Sequence, residues 1–186
     1  MSKTVCILLA DGFEEVEAIM PADILKRLDI NVILAGIKGT NICGSHGICL
    51  TTQTTINDIS ADDFDALILP GGLPGTTNLR DSENVISLVY HANEQNKICA
   101  AICAAPIVLR DAGITENKII TGYPGCERLS NNPDFKFSEK SVEISDNIIT
   151  AKGMGKASEF GFAIARALGI SDKQIKDISS SAFIDL

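Results

Sequence analysis

The chain switches repeatedly between two hydrophobic patterns. Continuous apolar runs recur in TVCILLA (4–10), INVILAG (30–36), DALILPGG (65–72) and KICAAIC (97–103). Runs of this length read as strands covered on both faces. Between them lie amphipathic stretches with helical spacing, from about Glu14 to Leu28, over 82–96 and over 156–169. Gly169 supplies a C-terminal stop, and Ser171 with Gln174 forms a capping-box pattern for a final helix. NKIITGY (117–123) and NIITAKG (147–153) predict two further strands. Two segments break the alternation. TNICGSHGICLTTQTTI (40–56) reads as a short antiparallel excursion with glycine turns, and VEISDNIITA (142–151) as a hairpin around Asp146-Asn147. The pattern predicts an α/β sandwich with a mostly parallel sheet, built as a single domain over residues 1–186.

Composition narrows the function classes. Of 186 residues, 45% are hydrophobic and 22% charged, enough for a large core. The net charge of −8 and the lack of a basic stripe argue against nucleic acid as the main partner. No apolar run reaches the roughly 20 residues of a membrane span, and the amino-terminal pattern is unlike a signal peptide, so the expected location is cytoplasmic. The six cysteines, Cys6, Cys43, Cys49, Cys99, Cys103 and Cys126, are therefore expected to be reduced. Cys6 and Cys99 sit in strand patterns as small hydrophobes.

Open parallel sheets bind ligands beyond the carboxyl ends of their strands. Three such ends carry unusual residues: Asp11-Gly12 after the first strand, Pro70 to Gly75 (PGGLPG) after another, and AAICAAP around Cys103. If these strands are neighbours, one pocket receives all three loops. Cys103 falls where a strand turns into a helix expected to start around Ala104. First-turn N–H groups there favour a thiolate, and Pro106 fits the first turn. A cysteine in such an apolar context is also the usual form of an inert core residue. Glu17 lines up with Met20, Ile24 and Leu28 on the apolar stripe of its helix, so it must be paired or protonated. Glu15 lines up with Ala18, Ala22 and Lys26, an expected outer face. Alone, Glu17 is equally consistent with a hydrogen-bonded structural role. The Gly71-Gly72 pair can aim backbone N–H groups at a ligand or form an ordinary turn. Cys43, His46 and Cys49 have a C-x₂-H-x₂-C spacing, but zinc wants a fourth ligand and none is nearby. His91 lies in a polar helix and is read as solvated.

Together, GFEEVEA, LPGGLPGTTNL and AAICAAP resemble the ThiJ/PfpI family, in the branch of the parkinsonism-associated deglycase. The resemblance runs from the first strand to the final helices. It implies a flavodoxin-like three-layer α/β sandwich with a mostly parallel central sheet, and a homodimer. It places the reactive cysteine on Cys103, its protonated glutamate partner on Glu17 and the oxyanion-type backbone donors on Gly72 and Ala104. Gly71, Arg27 and His46 become pocket positions, with Arg27 near the dimer contact. Where some members carry His before Pro, this chain has Tyr123 before Pro124. With only His46 and His91 elsewhere, a Cys-His-acid protease triad is poorly supported.

The function implied is detoxification of 2-oxoaldehydes such as methylglyoxal, of glyoxalase III or deglycase type. It would proceed through a hemithioacetal on Cys103, with a small aldehyde or glycated adduct as partner and no cofactor or metal. The alternative is a peroxide-responsive sensor or redox-regulated chaperone that uses oxidation of Cys103.

Overall fold

The computed structural model describes residues 2–185. The strands and helices are β1 (Thr4–Leu9), α1 (Glu15–Arg27), β2 (Asn31–Gly36), β3 (Asn41–Cys43), β4 (Cys49–Thr51), β5 (Thr54–Thr55), β6 (Ala66–Leu69), α2 (Gly75–Arg80), α3 (Glu83–Glu94), β7 (Ile98–Ile102), α4 (Pro106–Asp111), β8 (Val142–Ser145), β9 (Ile148–Ala151), α5 (Ala157–Ala167) and α6 (Asp172–Ser181). Seven strands form one sheet in the order β5-β2-β1-β6-β7-β9-β8. Every pairing in it is parallel except β8 with β9, the expected hairpin. Asp146 takes a left-handed conformation at φ 55° in its turn.

Side chains alternate across β1 and so divide the core in two. Val5, Ile7 and Leu9 pack with α1, α5 and α6 residues such as Ile24, Phe160 and Ile175. Cys6, Leu8 and Ala10 pack on the opposite face with Val85, Val89 and Val108 from α3 and α4. The strands are apolar throughout because both faces are covered, which gives three layers. Cys6 and Cys99 are fully buried within them. Pro21 stays inside α1, where Gly161 of α5 packs closely against it.

Chain order reverses between β1 and β6, since β2 lies on one side of β1 and β6 on the other. Ligand crevices form at such switch points. The three strand ends singled out in the sequence, those of β1, β6 and β7, are adjacent there.

Three expectations are corrected. Residues 117–123 form no strand, because β9 occupies the place beside β7. That segment is held instead by side chains and single backbone bonds: Thr121 N–H donates to Thr150 Oγ1 at 2.9 Å, and Tyr123 N–H to the Cys103 carbonyl at 2.7 Å. Cys43 and Cys49 are not reduced but joined in a disulfide. They are directly opposed in the antiparallel β3–β4 pair, so the hairpin itself brings them together. Neither sulfur is then available to the C-x₂-H-x₂-C zinc set. Finally, Glu15 does not face outward. The tip of the β3–β4 hairpin covers the start of α1, and Glu15 is only 4% exposed.

Candidate active site

Cys103 follows the last residue of β7. Its N–H donates to the Ala151 carbonyl at 2.9 Å, extending the ladder to β9. The chain then turns sharply. Cys103 has φ 63°, a left-handed conformation that costs a non-glycine residue about 1 kcal/mol and is found where a site demands it. The helix begins later than the sequence suggests, at Pro106 with Ala105 as cap, and has only six residues. The helix start therefore contributes less than expected. The sulfur is served instead by two individual N–H groups, those of Ala104 and Gly72, which point at it and favour its charged form.

Gly72 can aim its N–H this way because it sits at φ 86°, at the end of β6. Gly71, just before it, is squeezed between the two reactive groups. A Cβ there would lie 2.6 Å from Cys103 Cβ and 2.7 Å from Glu17 Oε2. Gly71 N–H donates to Glu17 Oε2 at 2.9 Å. Glu17 reaches this point from the first turn of α1 and is 1% exposed. Its Oε1 is buried with no hydrogen-bond partner. Cys103 is the neighbour that Glu17 interacts with, and each group shifts the other's titration. A Cβ on Gly153, in the loop after β9, would stand 3.9 Å from Cys103 Sγ and 3.9 Å from Glu17 Oε1.

The electrostatics follow from burial. Desolvation raises the Glu17 carboxyl to about 7, against the Gly71 and Cys103 interactions that lower it. Desolvation also pushes the Cys103 thiol up, to about 12, with the charge of Glu17 adding to the rise and the Ala104 and Gly72 donors opposing it. The helix start alone thus does not ionise Cys103 as the sequence suggested. The pair gives up its first proton around pH 7 and keeps the second well above neutrality, and this titration belongs to the pair. Two features favour the remaining proton on Glu17. A protonated Oε1 gives the orphaned oxygen a donor role toward the sulfur, and the thiolate is the better acceptor for two aimed N–H groups.

Beside the sulfur lies a cavity of about 320 Å³. Gly72, Cys103, Ala104, Tyr123 and Pro124 line it, together with Leu73, Cys126, Arg128 and Leu129. Arg27 and His46 are not among these residues. Arg27 lies ten residues, roughly 15 Å of helix, beyond Glu17 and pairs with Asp23 at 2.6 Å on the surface. His46 is bound to the start of α1, with Nδ1 3.0 Å from Glu15 Oε2. Glu15 Oε1 also accepts the His46 N–H at 2.8 Å. Burial acts upward on Glu15, but these bonds and the Ile48 N–H outweigh it and hold the carboxyl at about 2. Glu14, Glu15 and His46 place three donor atoms within 4.8 Å, but the ion pair already accounts for them. Cys126, Arg128 and Gly153 were not recognised from sequence. The TGYPG stretch pointed to the right loop, and its continuation GCERL carries two of them.

A family model described as the DJ-1/PfpI family matches residues 3–167. The chain belongs to the DJ-1/PfpI family. Protein dj-1beta of Drosophila melanogaster is 37% identical over 175 residues, 93% of each chain. The glutathione-independent glyoxalase DJR-1.2 of Caenorhabditis elegans is 30% identical over 167 residues, 89% of each. Among solved structures, Drosophila melanogaster DJ-1beta superposes with a TM-score of 0.93 at 32% identity, covering 100% of both chains. Oxidized Toxoplasma gondii DJ-1 gives 0.91 at 27% identity, again over 100% of both. The flavodoxin-like sandwich expected for a DJ-1/PfpI member is the fold present here. Among the described residues, no helix is long and apolar enough to cross a membrane.

Proposed function

We propose that this protein is a cofactor-independent enzyme that converts 2-oxoaldehydes such as methylglyoxal to 2-hydroxy acids. One observation carries the reading: two backbone N–H groups and a buried carboxyl raised by desolvation converge on one sulfur at the wall of a small cavity. The name of the Caenorhabditis elegans relative supports the same reaction class.

The sulfur adds to the aldehyde carbon, forming a C–S bond and opening the C=O bond to an oxyanion. The Gly72 and Ala104 N–H groups are placed to receive that negative charge. If the pair's proton starts on the sulfur, Glu17 takes it during attack, so both starting arrangements reach the same transition state. The oxyanion is protonated to the hemithioacetal, which leaves Glu17 as the carboxylate. Glu17 then removes the proton on the former aldehyde carbon and returns it to the neighbouring carbonyl carbon through an enediol. The product is a thioester of the 2-hydroxy acid. Water hydrolyses it, releasing lactate from methylglyoxal and restoring the thiol. The sum is methylglyoxal plus water to lactate, with no external oxidant. A carboxyl near pH 7 suits both directions of this proton traffic. Hydrolysis of early glycation adducts shares the first step.

Val16, Ile19 and Met20 on α1 and Ile48 of the hairpin line one shallow apolar groove and are each more than a third exposed. This surface supports assembly as a homodimer.

The test is proton NMR of purified protein with methylglyoxal. Lactate should accumulate, and Cys103→Ser and Glu17→Ala should each abolish it. Lactate formation that survives Cys103→Ser overturns the mechanism.

A further inference from the structure

Four cysteines are free. Cys6 and Cys99 are sealed in the core at 0% exposure. The other two, Cys103 and Cys126, are partly exposed, and both line the same cavity. They are also linked through the backbone. The Cys103 carbonyl accepts the Tyr123 N–H at 2.7 Å, and the Tyr123 carbonyl accepts the Cys126 N–H at 3.1 Å. Tyr123 to Cys126 is thus a hydrogen-bonded turn whose first residue is anchored to Cys103. Gly125 supplies the left-handed position at φ 87°. A Cβ on Gly125 would meet nothing within 4 Å, so the turn borders open space on that side. Charge at Glu17, the partner of Cys103, reaches Cys126 as well. Burial, with Glu127 beside it, pushes the Cys126 thiol up, and the positive charge of nearby Arg128 opposes that rise.

We propose that Cys126 resolves oxidised Cys103 to a disulfide, so that the two free cysteines of the cavity form a redox pair. The Cys103 thiolate attacks one peroxide oxygen. An S–O bond forms, the O–O bond breaks, and the leaving oxygen takes a proton, giving water from hydrogen peroxide or an alcohol from an organic peroxide. The Cys126 sulfur then attacks the Cys103 sulfenic sulfur. The S–S bond forms, the S–O bond breaks, and the departing hydroxide takes the Cys126 proton as water. Two thiols are oxidised by two electrons in total, and one peroxide is reduced. A dithiol reductant reverses the disulfide. The turn must swing Cys126 toward Cys103 for the second step, and the open side at Gly125 gives it room. The consequence is chemical protection. Without Cys126, sulfenic Cys103 takes an oxygen from a second peroxide, which leaves as water or an alcohol, and becomes the sulfinic acid, which a dithiol does not reduce.

This proposal rests on the nucleophilic Cys103 of the preceding reading but not on aldehyde turnover. The test is a few-fold molar excess of hydrogen peroxide on purified protein, alkylation of remaining thiols and peptide mapping. Mapping is needed because Cys43 and Cys49 are already paired. In the wild type, a peptide pair joined through Cys103 and Cys126 is expected, and dithiothreitol should dissolve it. In Cys126→Ser, the fraction of Cys103 carrying two added oxygens should rise several-fold. Cys103 sulfinate at equal rates in both proteins, with no joined peptide, overturns the pair while leaving the nucleophile intact. If Cys103 remains unmodified and alkylatable in both, the nucleophile itself fails, and the pair with it.

Discussion

Gly71 and Glu17, 54 positions apart in the chain, are joined by one buried 2.9 Å hydrogen bond. The bond fixes only one carboxyl oxygen. It leaves Oε1 buried without a partner, and a Cβ on Gly153 would stand 3.9 Å from both this oxygen and Cys103 Sγ, so the fold prepares a carboxyl whose proton has one useful place to go.

Glu17→Gln tests what that proton does for stability. The Gln side chain keeps an acceptor for Gly71 and cannot ionise. A carboxyl raised from 4.5 to about 7 disfavours the folded state as pH rises through that interval. The variant should therefore match the wild type below pH 4.5 and exceed it by about 3 kcal/mol above pH 7. Urea unfolding at several pH values measures this, and equal pH profiles would refute the raised carboxyl.

Gly71→Ala should disable the site and strain the fold together. Besides the two side chains, the new methyl would stand 2.9 Å from the Ile102 carbonyl oxygen, which cannot swing away. A loss of about 1–3 kcal/mol is expected, with methylglyoxal turnover near background. Thermal unfolding and lactate assays check both.

Gly153→Ala separates access from folding. Gly153 is extended at φ 164°, which any residue adopts, and its methyl would make ordinary contacts at 3.8–3.9 Å with the Tyr123 ring, Cys103 Sγ and Glu17 Oε1. Stability should stay within about 0.5 kcal/mol of wild type, while substrate finds the space beside the sulfur occupied. Steady-state kinetics should show a KM several-fold higher.

The Cys43–Cys49 disulfide closes a short loop, for which chain entropy gives about 2 kcal/mol. Reduction should lower stability by no more than that. Methylglyoxal turnover should be unaffected, because the hairpin does not line the cavity. Matched assays with and without dithiothreitol check it.

The sheet was legible because its strands are apolar on both faces, a pattern few other structures require. The segment 117–123 misled for the same reason: Ile119 and Ile120 look like strand residues, yet Ile119 is 63% exposed and Ile120 packs under a loop. Glu17 was readable from helical spacing, since Ile24 and Leu28 on the same line are buried, although Met20 on that line is 37% exposed. Glu15 was not, because the hairpin that covers it comes from a distant segment. The disulfide was obscured by an argument about compartment, although the two cysteines share strand parity. Spacing placed Cys103 at a strand end. Only three dimensions showed that two N–H groups, rather than the start of a helix, face its sulfur.

The most direct measurement is the alkylation rate of Cys103 as a function of pH, read by mass spectrometry of its peptide. A shared proton held mainly by Glu17 predicts that the rate is half-maximal near pH 7, the value of the carboxyl, and level about two pH units above it. A rate that stays low through neutrality and rises only above 9, toward the value of about 12 of a buried thiol facing a carboxylate, would contradict it.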